Sequence, residues 1–99
     1  MSKEEVLALA QDMTISREAF LRSLPGAVAG AAFDVVGNDI LPVEPAQGWR
    51  IVLDPLPDLR LGAIRLPRQR AAIFLTGHDA AATRRFLDRF ELYFRRAGG

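Results

Sequence analysis

Hydrophobic and polar positions alternate with period two through the middle of this chain and with a helical period at its end. From Trp49 to Gly77 the sequence reads WRIVLDPLPDLRLGAIRLPRQRAAIFLTG. Trp49, Ile51 and Leu53 alternate with Arg50, Val52 and Asp54, as expected of a strand with one buried face. Leu59, Leu61 and Ala63 alternate with Arg60, Gly62 and Ile64, and Ala71, Ile73 and Leu75 alternate with Arg70, Ala72 and Phe74. The pattern predicts three successive antiparallel strands, parted by a stiff Asp54-Pro-Leu-Pro-Asp58 connection and by a turn at Pro67-Arg68-Gln69. In the last two runs both faces carry apolar residues. That predicts helices over one face and another sheet, or a second subunit, over the other.

Upstream, Ser2-Lys3-Glu4-Glu5 fits a capping box and predicts a short helix through Val6, Leu7, Ala10 and Met13. So short a helix forms only if it packs. Ser16 marks a second helix start, with Glu18 in the first turn and Ile15 and Phe20 placed as a hydrophobic staple. Phe20, Leu21 and Leu24 share one face, and Pro25-Gly26 is expected to close the helix. The GAVAG segment that follows lacks GK[ST] and a preceding strand, so it reads as a flexible link and not as a phosphate-binding loop. Ala32–Val36 and Asp39–Val43 flank Gly37-Asn38, a two-residue hairpin turn, and Pro42 and Pro45 make the second arm short or an edge.

The last element is a helix from Asp79 to about Arg96 or Ala97. Phe86, Phe90, Tyr93, Phe94 and Ala97 fall on one broad apolar face, with Leu87 on its flank. The ion pairs offered by its surface, Arg84–Asp88 and Glu91–Arg95, each contribute only about 0.2–0.5 kcal/mol. Burial of the phenylalanines, at about 1.5–3 kcal/mol each, outweighs them. The fold expected is α+β: one domain over residues 1–99, with a four- or five-stranded antiparallel sheet. One or two short helices precede the sheet, and the long C-terminal helix covers one face. This order fits neither a parallel doubly wound sheet nor the βαββαβ order of ferredoxin-like RNA-binding domains.

Composition changes this picture little. Ninety-nine residues, 49% hydrophobic and 25% charged, suit one modest globular core. The absence of cysteine removes disulfides, thiol nucleophiles and thiolate metal sites. With only a short apolar patch from Val6 to Ala10 near the start and no long apolar run, the expected location is cytoplasmic, with no membrane span. Charge is lopsided: residues 1–58 carry nine acids and four bases, residues 59–99 three acids and nine bases. Such polarity suits a self-complementary dimer or an acidic partner.

Candidate chemistry is sparse. His78, the only histidine, would need Asp54 or Asp58 to form a small catalytic unit. Asp54 and Asp58 have no further acidic neighbours to complete a metal shell, so neither a metal nor another cofactor is expected. Arg60, Arg65, Arg68 and Arg70 surround the Pro67 turn, and Arg84, Arg85, Arg89 and Arg96 lie on the last helix. From these, Arg65, Arg68, Arg70, Arg84, Arg85 and Arg89 are the candidate partner-binding residues, for an acidic protein surface or, alternatively, nucleic acid. The terminal Gly98-Gly99 resembles the tail of ubiquitin-like and sulfur-carrier proteins over those two residues. There the tail leaves a strand of a β-grasp core, whereas here it follows a helix whose C-cap explains Gly98. The function expected is a non-enzymatic binding or accessory module, dimerising or holding a protein partner through an apolar sheet face.

Overall fold

The computed structural model describes residues 4–95. The elements are β1 (Glu5–Met13), α1 (Arg17–Ala27), β2 (Phe33–Val36), β3 (Asp39–Pro42), β4 (Trp49–Leu61), β5 (Ile64–Thr76) and α2 (Ala80–Phe94), with one 3₁₀ turn at Pro45–Gln47 before β4. The five strands form one antiparallel sheet in the order β1-β5-β4-β3-β2. The α+β class, the five-stranded antiparallel sheet and the C-terminal helix agree with the sequence pattern.

Two elements differ from expectation. The segment expected as a first short helix is strand β1, paired along β5 from Glu5↔Thr76 to Met13↔Gln69. Its Leu, Ala and Glu content favours a helix locally, but β5 offers a free edge from Gln69 to Thr76, and tertiary pairing overrides weak propensity. One extra residue between Leu7 and Leu9 lets Ala8 and Leu9 both pack against the core. The Ser2 end of the expected capping box lies outside the described residues.

The second correction concerns the meander. The expected three strands are two long ones, and the turn falls at Gly62-Ala63, with Leu61 opposite Ile64 and Gly62 at φ +61°. Neither Pro67 nor the Pro55–Pro57 connection turns the chain. Each proline sits where its strand has a single neighbour: β3 pairs with β4 no further than Val52, and β1 stops opposite Gln69. A missing N–H is tolerated on such an outer edge. An irregularity between Leu56 and Leu59 absorbs Pro57 and Asp58. The Gly37-Asn38 turn is as expected, with Val36 opposite Asp39 and Gly37 at φ +62°.

Helix starts follow their caps. Ser16 Oγ accepts from the Ala19 amide at 3.1 Å, and Asp79 Oδ1 from the Ala82 amide at 2.7 Å. The end of α1 does not: the helix runs through Pro25 to Ala27 and closes with paired bonds from Ala29 N to Gly26 O and Gly30 N to Pro25 O. Ala29 holds φ +56°, a left-handed conformation that costs an alanine about 1–2 kcal/mol. Ala29→Gly is therefore expected to raise stability by about 0.5–1 kcal/mol after the glycine's own entropy cost, read as a higher urea midpoint at unchanged slope.

The core draws Phe20 and Leu24 from α1, Phe90 and Phe94 from α2, and Ile51, Leu53, Ala71 and Ile73 from the sheet. Phe20, Phe90 and Phe94 stack together, with ring centroids 4.6 Å (Phe20–Phe94) and 4.5 Å (Phe90–Phe94) apart. Tyr93 departs from the expected stripe and is 41% exposed. Its ring lies against Gly26, where a Cβ would overlap it, and Arg89 sits over its outer face while donating from Nε to the Gly26 carbonyl at 2.7 Å. The expected continuation through Ala97 and Gly98 lies outside the described residues.

Candidate functional site

Strand parity sorts the sheet into two faces. Residues directly opposite one another share a face, so Trp49/Leu75, Ile51/Ile73 and Leu53/Ala71 lie on the side of the helices. Arg50/Phe74, Val52/Ala72 and Asp54/Arg70 lie on the other side, with Leu7, Ala10 and Asp12 of β1 and Asp39 of β3. Both helices contribute their buried residues to the first side. Among the described residues no element covers the second.

That uncovered face continues onto an arm. Beyond Asp54 and Arg70 the β4–β5 hairpin extends past the core, and from Pro57 to Arg65 every residue is exposed. The molecule measures 53 × 26 × 22 Å, with a radius of gyration of 14.0 Å, against about 12.6 Å for a compact chain of this length. Its accessible surface of 6459 Å² likewise exceeds the roughly 5600 Å² expected for its mass. Along the arm, parity puts Leu59 with Leu66 and Leu61 with Ile64 on the same side as Phe74. Six large hydrophobics are exposed on this face: Leu7, Val36, Leu41, Leu59, Leu61 and Ile64. They fall in two groups, Leu7, Val36 and Leu41 on the sheet and Leu59, Leu61 and Ile64 on the arm, with Asp12, Asp54, Arg68 and Arg70 between them. A depression of about 340 Å³ lies at the sheet end, bordered by Glu5, Leu41, Arg50 and Thr76.

Ion pairs cross the same face. Arg50 donates to Glu5 through both Nε (2.9 Å) and Nη2 (2.8 Å), reaches Asp39 at 3.4 Å and lies 4.4 Å over the Phe74 ring. Asp12 accepts from Arg70 Nε at 2.7 Å and pairs with Arg68 at 3.6 Å. Hydrogen bonding from Arg50 holds the Glu5 carboxyl below the usual glutamate range, and bonding from Arg70 does the same for Asp12. Each carboxyl titrates lower in the folded chain than in the unfolded one. Its stabilisation is therefore present above the unfolded pKa and lost as pH falls below the ordinary carboxylate range and through the folded pKa. Both are solvent-exposed, so the effect is small and salt-screened. In urea titrations at low salt, Asp12→Asn should flatten the acid decline in stability, and the difference should shrink in concentrated chloride.

The remaining candidates fall in different places. Arg68 and Arg70 are held by Asp12 on the uncovered face, while Arg65 points by parity to the opposite side of the arm, facing Arg60. Arg89 is tied to Gly26, and Arg84 and Arg85 lie elsewhere on α2. The six arginines do not form one basic surface. His78 bonds Thr76 O through Nδ1 at 3.1 Å and stacks edge-on to Phe86. Asp54 accepts from Asn38 at 3.1 Å, five residues along β4 from Trp49, which is roughly 17 Å of strand. Asp58 lies farther still along the arm. No unit of His78 with either carboxylate is assembled. Among the described residues no group of three His, Asp or Glu could hold a metal, and no helix is long and apolar enough to cross a membrane. Gly98 and Gly99 lie outside the described residues.

What sequence reasoning missed is the arm. Leu59 and Leu61 were legible as alternating strand residues, but Leu56 was read as part of a connection and Ile64 as belonging to the opposite face, because the turn was expected at Pro67 and not at Gly62-Ala63. No family model matches the chain, and neither a curated protein nor a solved structure matches it.

Proposed function

We propose that the protein is a non-enzymatic binding module whose uncovered sheet face and projecting arm take a second copy of the same chain. The observation that carries this reading is the set of six exposed hydrophobics on one side of the sheet and arm, Leu7, Val36 and Leu41 at one end and Leu59, Leu61 and Ile64 at the other. A stable interface needs about 800 Å² from each partner, roughly an eighth of this chain's 6459 Å². An isolated hairpin arm with apolar residues on one side is only marginally stable in water, and a facing copy would dry it.

Symmetry supports self-association over an unrelated partner. On the uncovered face Glu5, Asp12 and Asp39 are paired within the chain to Arg50, Arg68 and Arg70, whereas Arg60 and Arg65 stand on the other side of the arm with no acidic partner among the described residues. Like charges directly opposite in a hairpin are unfavourable. A two-fold arrangement lays the apolar side of each arm, with Leu59, Leu61 and Ile64, over the other copy's uncovered face and buries both arms at once. Nucleic acid is the weaker occupant, because the candidate arginines are divided between the arm, the uncovered face and α2. Light scattering across a dilution series tests the proposal. It predicts twice the 10.9 kDa chain mass at micromolar concentration. A strict monomer, or a salt-sensitive complex with duplex DNA in its place, would overturn it.

A further inference from the structure

The outer edge of β1 lies beside α2 and is independent of the arm. β1 and β2 are the two outer strands of the sheet. β2 has only four residues, whereas β1 has nine and contains neither proline nor lysine, the usual guards of an exposed edge. Its one irregularity falls between Leu7 and Leu9, so residues 9–13 pair regularly with β5 and present straight backbone on their outer side. Ala10, Gln11 and Asp12 are exposed there. A free strand edge is complementary to another extended backbone, whose N–H and C=O groups repeat at the same spacing.

A groove of about 490 Å³ adjoins this edge. Leu9 and Gln11 form its β1 wall, the rest of its lining comes from α2, and no β5 residue borders it, so it opens outward from the sheet. Leu9 and Gln11 pair opposite Ile73 and Ala71, which places the groove on the helix side. Its floor is apolar, with Leu87, Phe90 and Phe94 beside Leu9. Its lip carries Arg84, Asp88, Glu91 and Arg95, which follow one another at i, i+4, i+7 and i+11 on a single stripe. Glu91 and Arg95 pair with each other at 3.8 Å, while Asp88 has no cation within ion-pair distance among the described residues. The lip is thus acidic in the middle and basic at both ends.

We propose that this edge and groove take an extended peptide of another protein, with apolar residues at alternate positions and a lysine or arginine near its centre. The peptide continues the sheet beyond β1, its alternate side chains fill the floor, and the central base reaches Asp88 over its own aliphatic stem. A second copy fits this edge less well. Two β1 strands paired about a two-fold axis would set their lips side by side in opposite directions. The order Arg, Asp, Glu, Arg reads the same both ways, so lips centred on one another would bring like charges together.

The probe is a capped peptide, Thr-Val-Thr-Lys-Thr-Val-Thr, titrated into the ¹⁵N-labelled full chain. The amides of residues 9–13 should shift together, with a midpoint below about 1 mM. Alternate amides within that run should gain protection from hydrogen exchange, since only every second one points away from β5. Asp88→Lys, at an exposed position, should weaken this peptide about two- to fivefold. The same peptide with glutamate in place of lysine should then bind the variant more tightly than the parent. No saturable shift up to about 1 mM, or shifts in α2 without alternating protection in β1, would overturn the proposal. So would shifts confined to Leu7, Leu41 and Ile64, which would seat the peptide on the uncovered face, or equal affinities of both peptides for parent and variant.

Discussion

Ile64→Arg is expected to yield a folded monomer. Ile64 is 60% exposed at the arm tip, so within a single chain the change should alter stability by no more than about 0.5 kcal/mol. In an interface between two copies the same arginine would be buried without a partner, at about 3 kcal/mol or more. That is over a hundredfold in dissociation constant. Circular dichroism should therefore be unchanged while the light-scattering mass halves. Val6→Arg is the matched control: Val6 is 59% exposed, but it pairs opposite Leu75 and so faces the helix side at the β1 edge. Its mass should remain that of the parent. If Val6→Arg dissociates the protein and Ile64→Arg does not, copies associate through the β1 edge instead.

Phe90→Ala is expected to have the largest effect on folding. Phe90 is 2% exposed and lies 6.2 Å from Phe20 and 4.5 Å from Phe94, ring to ring. Truncating such a side chain costs about 3–5 kcal/mol through lost burial and the cavity left behind. Against a total of about 5–15 kcal/mol, that removes a large share of the stability. At about 4–8 °C per kcal/mol the melting temperature should fall by roughly 12–40 °C. Leu92, 62% exposed on the same helix, provides the contrast: Leu92→Ala should stay within about 0.5 kcal/mol of the parent. Equal losses at the two positions would mean that α2 packs by a different face.

The elements that were legible in the sequence are those whose signals are local. Ser16 and Asp79 each cap a helix with their own side chain, and Gly37 supplies the positive φ its turn requires. Phe86, Phe90 and Phe94 recur at helical spacing, and Trp49, Ile51 and Leu53 at strand spacing. The segment from Val6 to Met13 was not legible, because its residues suit a helix and only the free edge of β5 makes it a strand. The prolines misled for the same reason. Pro55, Pro57 and Pro67 break strands that have two neighbours, and nothing local reveals that these stretches have one. The candidate surface was therefore half visible: its apolar alternation could be read, but its continuity from Phe74 to Ile64 depends on a register that only the paired strands define.

The most direct test is a mixed sample in which half the copies carry ¹³C and half do not, observed for contacts between unlike copies. The account predicts cross-copy signals from the methyl groups of Leu61 and Ile64 to Leu7, Leu41 or the Phe74 ring. Cross-copy signals confined to Leu87, Leu92 or Val6, or none at a concentration where the mass is that of two chains, would contradict it.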